Sequence, residues 1–476
     1  MPVHQAIHEP HVAATELSAA EPYGRRLWLA LLGVVLVAAC LDSYGIRTWP
    51  MADDEVPSLV EMRLFEVPGN AFSVPAAQLE RLPKALPVWY AFQRTALRLF
   101  PNNEFGFRLP SLICALIFSG LAFVVAARWR GIWYGVAIAI VVNLSQPFVY
   151  LAQIDRFYSM PLLLLALTLI VMCTSRPGTW MALATVALAA LTVLSHNVTI
   201  AVFVLAFIAA ACAYVVGRAP AYLVARSGLA ASVSVLLYFW FIRPLVNGWH
   251  STGNPTPVLM SFAAHAGIPT LGLAFLGIWL AVAESRRGVT MVWWGLMLGG
   301  SLCFLYLTGM TWNPRYFLFF FPAMWVLAAY AMERVALRFE YGSAAAAWYG
   351  LVIVLLMPSL ISHYRDGSRH DYRQAAAVLA ASAQDQTILS DDAETISYYL
   401  PANLRRHLLV RTKVTTFPTD EFFLVTRSNA WTALPQIPGR HLQLMSEIYA
   451  RRYDQFSHIL RVYRIAPVAA TLDSGS

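Results

Sequence analysis

The chain is poor in charge: only 13% of its 476 residues are Asp, Glu, Lys or Arg. A water-soluble domain of average composition carries roughly 25%. It is also poor in cysteine. Cys40, Cys114, Cys173, Cys212 and Cys303 each fall inside an apolar run, with no second cysteine or histidine at metal-ligand spacing. They read as small buried apolar side chains, and no disulfide is implied. Nor is there a glycine-rich phosphate loop, an HExxH helix, a G-x-S-x-G elbow or a Cys/His metal spacing. These deficits exclude a disulfide-stapled secreted fold, a disordered chain and the common soluble catalytic motifs.

What fills the chain instead is apolar: 58% of residues are hydrophobic. The net charge of +8 then reports loop orientation in a membrane, and nucleic-acid binding is not expected. The first 24 residues are polar, and Arg25-Arg26 precede an apolar run, Leu27 to Cys40, read as an uncleaved first helix. Val37-Ala38-Ala39-Cys40 resembles a lipoprotein cleavage box, but the topology needs this helix retained. Ten further apolar runs follow, near 108–127, 132–150, 158–174, 179–195, 198–216, 227–243, 262–283, 290–310, 316–333 and 345–362. A span needs about 20 apolar residues, so about 11 transmembrane helices are expected. Arginines then mark every second loop: Arg128 and Arg130, Arg176, Arg218 and Arg226, Arg286 and Arg287, Arg334 and Arg338. That alternation predicts a cytoplasmic N-terminus and a tail, 363–476, on the outer side.

Two segments are of other material. Residues 86–100 are apolar but short and carry Gln93, Arg94 and Arg98, so an interfacial helix in the first external loop, 45–107, is expected. The tail has a helix-like stretch at 371–383 and strand-like pieces at 387–390, 407–411, 422–426, 443–449 and 457–465. It predicts a small C-terminal α/β domain. The chain thus divides into 1–26, a membrane module 27–362 and the domain 363–476.

Charged side chains on the outer face of such a bundle are the candidate site, because charge near lipid is expensive. Asp53-Asp54-Glu55 follow the first helix; they suit either a helix N-terminus or a site that needs a carboxylate. Asp155 and Arg156, with Tyr158, sit where helix 3 gives way to helix 4 and read as a snorkelling pair or as ligand contacts. Arg315 and Tyr316 open the tenth apolar run, as anchors or as a phosphate contact. Lys84 and Arg108 oppose the positive-inside trend and suggest an anionic ligand. His196 lies at the outer end of helix 5, as a bundle histidine or a site residue. One acid cluster with several cations around a multi-pass bundle suits transfer from a lipid-linked phosphate: the acid takes a hydroxyl proton and the cations hold the departing phosphate.

Leu86-Pro-Val-Trp-Tyr90, Glu104-Phe-Gly-Phe-Arg-Leu-Pro-Ser111 and Arg156-Phe-Tyr158-Ser-Met, in that order, resemble glycosyltransferase family 39. That family includes protein O-mannosyltransferases and the lipid A aminoarabinose transferase and has the GT-C superfold. Asn313-Pro-Arg315-Tyr316, Tyr372-Arg373 and Tyr398-Tyr399 extend the likeness loosely. The resemblance implies a polyprenyl-phosphate sugar as donor, no further cofactor, an acceptor protein, lipid or glycan, and inverting transfer on the periplasmic side of a cell inner membrane. It makes Asp54 the general base, with Glu55 orienting either that base or the acceptor. Lys84, Arg156 and Arg315 become donor-phosphate contacts, with Arg108 a weaker one. Two departures are visible: Lys84 is offset by about one residue from the family position, and the acid of Asp155-Arg156 is displaced by one. A transporter or flippase of lipid-linked saccharides, or an inactive accessory subunit, are the competing classes.

Overall fold

The protein is represented by a computed structural model that describes residues 24–51, 55–62, 65–66, 68, 81, 84–100, 103–154, 156, 158–175, 178–245, 255–284, 289–308, 314–428, 437–449 and 459–467. The membrane part is a bundle of apolar helices. Helix α1 (Gly24–Ser43) leads into a turn, a short α2 (Glu55–Glu61) and α3 (Pro87–Leu99). The long α4 (Glu104–Arg130) is followed by α5 (Ile132–Asn143) and α6 (Gln146–Ala152), then α7 (Ser159–Cys173), α8 (Thr179–Ser195) and α9 (Thr199–Val215). Next come α10 (Ala221–Leu237), extended by a π turn, Tyr238–Ile242, then α11 (Pro255–Ala266), α12 (Ile268–Ala283) and α13 (Val289–Thr308). A 3-10 turn, Pro314–Phe320, enters α14 (Phe321–Ala336), and α15 (Gly342–Asp366) closes the bundle.

Each of the eleven apolar runs lies on a helix or a bent pair of helices. Among the described residues, five helices are long and apolar enough to cross a membrane alone: α1, α4, α10 with its π turn, the Phe317–Ala336 stretch and α15. Two broken pairs, α5 with α6 at 69° and α11 with α12 at 92°, make seven. The count of eleven rests as well on α7, α8, α9 and α13, which are apolar but shorter. The breaks have local causes. Pro147 and Pro269 sit in the first turns of α6 and α12, where the missing N–H costs nothing but ends what precedes. Helix α3 is 13 residues, about 20 Å at 1.5 Å per residue, too short for a ~30 Å hydrocarbon layer. It buries Trp89, Tyr90, Gln93, Ala96 and Leu97 on one face and exposes Arg94 and Arg98 on the other, as an amphipathic loop helix should.

The C-terminal domain contains α16 (Tyr372–Ser382), β1 (Thr387–Ser390), α17 (Ala393–Tyr399), α18 (Ala402–Arg405), β2 (Leu408–Val410), β3 (Phe422–Ser428), β4 (Arg440–Tyr449) and β5 (Ile459–Pro467). The sheet order is β2-β1-β3-β5-β4; the first three strands are parallel, and the β3–β5 and β5–β4 pairs are antiparallel. Helices α17 and α18 escape the strand and helix periods visible in the sequence, because they are only a turn or two long. They pack with α16 on the sheet face that presents Ile388, Phe423, Val425 and Val462.

The two parts meet around Trp49. Its indole lies between Gly45 and Gly367, both with positive φ, +72° and +68°. A Cβ on Gly45 would fall 2.2 Å from the ring and one on Gly367 2.6 Å, so only glycine fits on either side. His363 packs edge-on at 5.1 Å and Arg369 covers the ring at 5.4 Å. Gly367→Ala is expected to cost about 2–3 kcal/mol, the sum of a left-handed alanine and a displaced ring. A thermal melt of the purified protein checks this; an unshifted melt would show that the indole is not pinned.

Candidate active site

The described turn 44–51 and helix α2 are held from both sides by charge. Glu55 is fully buried and receives two parallel bonds from Arg108 on α4: Nε to Oε1 at 2.8 Å and Nη2 to Oε2 at 2.9 Å. The remaining Arg108 donors go to the backbone carbonyls of Ile46 (2.8 Å), Trp49 (2.9 Å) and Pro50 (2.9 Å). All five N–H groups of that guanidinium are engaged, the arrangement that makes a buried arginine tolerable. Helix α4 can present Arg108 here because Asn103 caps it, accepting from the Gly106 N–H at 2.8 Å.

Arg369 approaches Glu55 from the other side. Its Nη1 lies 3.4 Å from Oε2 and 3.3 Å from the carbonyl of Pro50, and its plane covers Trp49 and Tyr150. Arg369 belongs to the link between α15 and α16. Burial, and next the Arg108 guanidinium, pull its pKa down to about 10. The domain adds a second hold on the same turn. Tyr399 accepts from the Met51 N–H at 2.6 Å and donates to Glu104 at 2.8 Å, and Arg373 donates to both oxygens of Glu104 at 3.1 and 3.0 Å. Burial pushes the Tyr399 phenol above its ordinary range, so it stays a donor to Glu104 at any working pH.

One and a half turns along α2, Glu61 forms a second cluster. Tyr90 of α3 donates to its Oε2 at 2.5 Å. Arg156 lies 3.4 Å from the same oxygen and donates from Nη1 to Ser58 Oγ at 2.8 Å. The backbone of Arg156 is fixed in turn: its carbonyl accepts from Ser111 Oγ at 3.2 Å, on α4. Glu61 and Tyr90 are buried, whereas the Arg156 side chain keeps 15% of its surface exposed. The cluster thus offers a partly accessible cation held by a buried acid.

The sequence candidates distribute unevenly over this geometry. Asp54 and Asp155 lie outside the described residues. Arg315 and Tyr316 lie on the 3-10 turn, described in their backbone alone. Phe319 of that turn packs its ring 4.8 Å from His196, and Tyr158 lies 5.8 Å from the same imidazole. Lys84 is exposed, with no ion pair among the described residues. Arg108 spends its five donors inside the protein and clamps the turn after α1. His196 and Tyr158 are packed within the bundle. Both are buried to 2%, and His196 Nδ1 accepts from the Val198 N–H at 3.3 Å, which fits a packed bundle pair better than a substrate contact. Glu55, with both oxygens on arginines, is an anchor and not a proton acceptor. Sequence reasoning missed Glu61, Ser58, Tyr90, Glu104 and Arg369. A signal for the first two existed: Glu55, Ser58 and Glu61 recur every three residues, on one face of a short helix.

The far end of the bundle carries a separate set of paired charges. Arg130 bonds Glu333 at 2.8 Å, and Arg334 and Tyr330 bond Glu284 at 2.7 and 2.8 Å. Helix α4 has Arg108 near one end and Arg130 at the other, so this set and the site lie at opposite ends of the same helix. The bundle is therefore polar at both faces, and partly exposed arginines paired with acids stand at both: Arg156 at 15% on the side of the C-terminal domain, Arg130 and Arg334 at 17% and 23% at the far end.

No protein-family model and no curated protein matches the chain. Solved structures do. ArnT from Cupriavidus metallidurans in its apo state superposes with a TM-score of 0.54 at 14% identity, over 92% of this chain and 97% of that one. The same protein bound to undecaprenyl phosphate gives 0.53 at 15% identity, over 94% and 99%. A weaker likeness, TM-score 0.47 at 12% identity, joins 82% of the chain to 64% of an oligosaccharyltransferase of Archaeoglobus fulgidus. Across almost the whole of both chains, this protein shares the fold of that ArnT structure.

Proposed function

We propose that the protein is a membrane glycosyltransferase that moves one sugar from a polyprenyl-phosphate donor to an acceptor hydroxyl on the face covered by the C-terminal domain. The observation that carries this reading is the end-to-end likeness to ArnT, a protein also solved with undecaprenyl phosphate bound. The Tyr90–Glu61–Arg156 cluster supports it, since a cation held near the surface by a buried acid suits a phosphate.

In the proposed reaction Asp54 takes the proton of the acceptor hydroxyl. The acceptor oxygen bonds to the anomeric carbon as the bond from that carbon to the phosphate oxygen breaks. The electron pair leaves with the polyprenyl phosphate, and a single displacement inverts the anomeric centre. Arg156, with Lys84 and Arg315, stabilises the charge that develops on the departing phosphate. The membrane is then a bacterial inner membrane, with the site periplasmic and the N-terminus cytoplasmic, as the arginine loops suggest. Sugar and acceptor are set by the pocket and by the domain over it.

The test is a transfer assay with purified protein in lipid nanodiscs, supplied with polyprenyl-phosphate sugars and, separately, nucleotide sugars. Release of polyprenyl phosphate that requires an acceptor is the expected result, with no turnover of nucleotide sugar. Turnover of nucleotide sugar alone, or movement of the glycolipid across vesicles without cleavage, would overturn the reading.

A further inference from the structure

The Glu55 carboxylate sits between two buried arginines, and they are not equivalent. Arg108 alone neutralises it, with two short bonds and every donor satisfied. Arg369 brings a second full charge into the same buried space. Its Nε donates to the Gly367 carbonyl at 3.1 Å, its contacts to Glu55 and Pro50 are long, 3.4 and 3.3 Å, and its Nη2 has no hydrogen-bond partner among the described residues. Burying a charge that is not well paired opposes folding, and here a like charge is already present. Arg369 is thus held mainly by Trp49, Tyr150 and the Gly367 carbonyl, and adds a charge where Glu55 is already paired.

The link that holds it is strained as well. Ser368, next in the chain to Gly367, has φ +52°, a left-handed conformation that a serine rarely adopts. Its hydroxyl is held there, bonded to His363 Nδ1 at 2.9 Å and accepting from Gln146 Nε2 at 3.2 Å. Strain and a loosely paired charge fall on neighbouring residues, Ser368 and Arg369, of the link 367–371 that joins the membrane bundle to the C-terminal domain. The same residues touch the first external turn, through Trp49, Pro50 and Glu55.

Building on the proposed transfer reaction, we infer that Arg369 is a positioning residue: it transmits the seat of the C-terminal domain to the external turn and α2, and thereby sets the geometry of Glu61 and the Arg156 it holds. The domain's second hold, Tyr399 on the Met51 N–H, grips the turn that Arg369 grips. Domain and turn move as one while both contacts stand. Loss of Arg369 frees the turn without unfolding the bundle.

The experiment uses the full-length protein and the variant Arg369→Gln, with three readouts. The melting temperature is expected to be unchanged or higher, since a satisfied Arg108–Glu55 pair remains. Amide hydrogen exchange at residues 44–51 is expected to quicken at least ~tenfold, because the turn opens locally. In transfer, kcat is expected to fall roughly ten- to hundredfold while the donor KM stays within about twofold, as for misplaced but still bound reactants. A lowered melting temperature, or a variant that fails to accumulate, would overturn the inference, since Arg369 would then be an ordinary stabilising contact. So would unaltered exchange. If the wild-type protein transfers no sugar from any lipid phosphate, the glycosyltransferase reading fails by itself, and melting and exchange still decide whether Arg369 couples domain to turn.

Discussion

Replacing Glu55 by Gln is expected to destabilise the protein by about 3–5 kcal/mol, the cost of breaking one side of a buried ion pair. The amide fills the same space, but its NH2 can only donate, so one of the two bonds from Arg108 is lost. It also lacks the negative charge that Arg108 and Arg369, both almost fully buried, share among the described residues. Two guanidiniums would then face each other across a neutral amide. The turn 46–50 should suffer too, because Arg108 orders the carbonyls of Ile46, Trp49 and Pro50 only while it is itself anchored. A melt of the purified variant, or its failure to accumulate in the membrane, measures the effect. A melting temperature within a degree or two of wild type would show that the triad is not the keystone described here. The contrast with Arg369→Gln is the sharper statement: removing the acid and removing the second arginine should act in opposite directions on stability, although both belong to one cluster.

Asp54→Asn is expected to lower transfer by about 10²–10⁴-fold, the usual contribution of a positioned proton acceptor, with the fold intact. An amide cannot take the hydroxyl proton, yet it is close to the carboxylate in size. Glu55 cannot stand in, because both of its oxygens are committed to arginine. Glu61 is buried, and its Oε2 is bound by Tyr90 at 2.5 Å and faces Arg156. Melting and transfer measured on one preparation separate loss of chemistry from loss of structure. Full activity in Asp54→Asn would remove it as the base and turn attention to Glu61.

The apolar runs were legible from the sequence because lipid forces a simple pattern, and each of them does lie on helix. The breaks at Leu144-Ser145 and Gly267 were not, since an apolar run reads the same whether straight or bent by 92°. Candidate site residues were harder. Arg108 was recognised as out of place on the outer side, but a buried clamp and a phosphate contact leave the same mark: one arginine among apolar neighbours. The distinction lies in who accepts its five N–H bonds, and three of the acceptors are backbone carbonyls, invisible to any reading of side chains. Arg369 was hidden differently. It stands in an ordinary polar stretch, Arg-His-Asp-Tyr-Arg, and its burial arises only when the link folds back on Trp49 and Tyr150, more than 200 residues away along the chain. Glu61 was overlooked although it recurs at a three-residue spacing with Glu55 and Ser58, because three polar positions on a seven-residue helix are too few to set a face apart.

The central claim is that this chain transfers a sugar from a lipid phosphate by way of Asp54. The measurement that tests it most directly is mass spectrometry of envelope glycans and glycolipids from cells lacking the protein, beside cells complemented with wild type and with Asp54→Asn. The account expects one sugar to disappear from one acceptor in the deletion, to return with wild type and to stay missing with the Asn form. Return of that sugar with Asp54→Asn would contradict it.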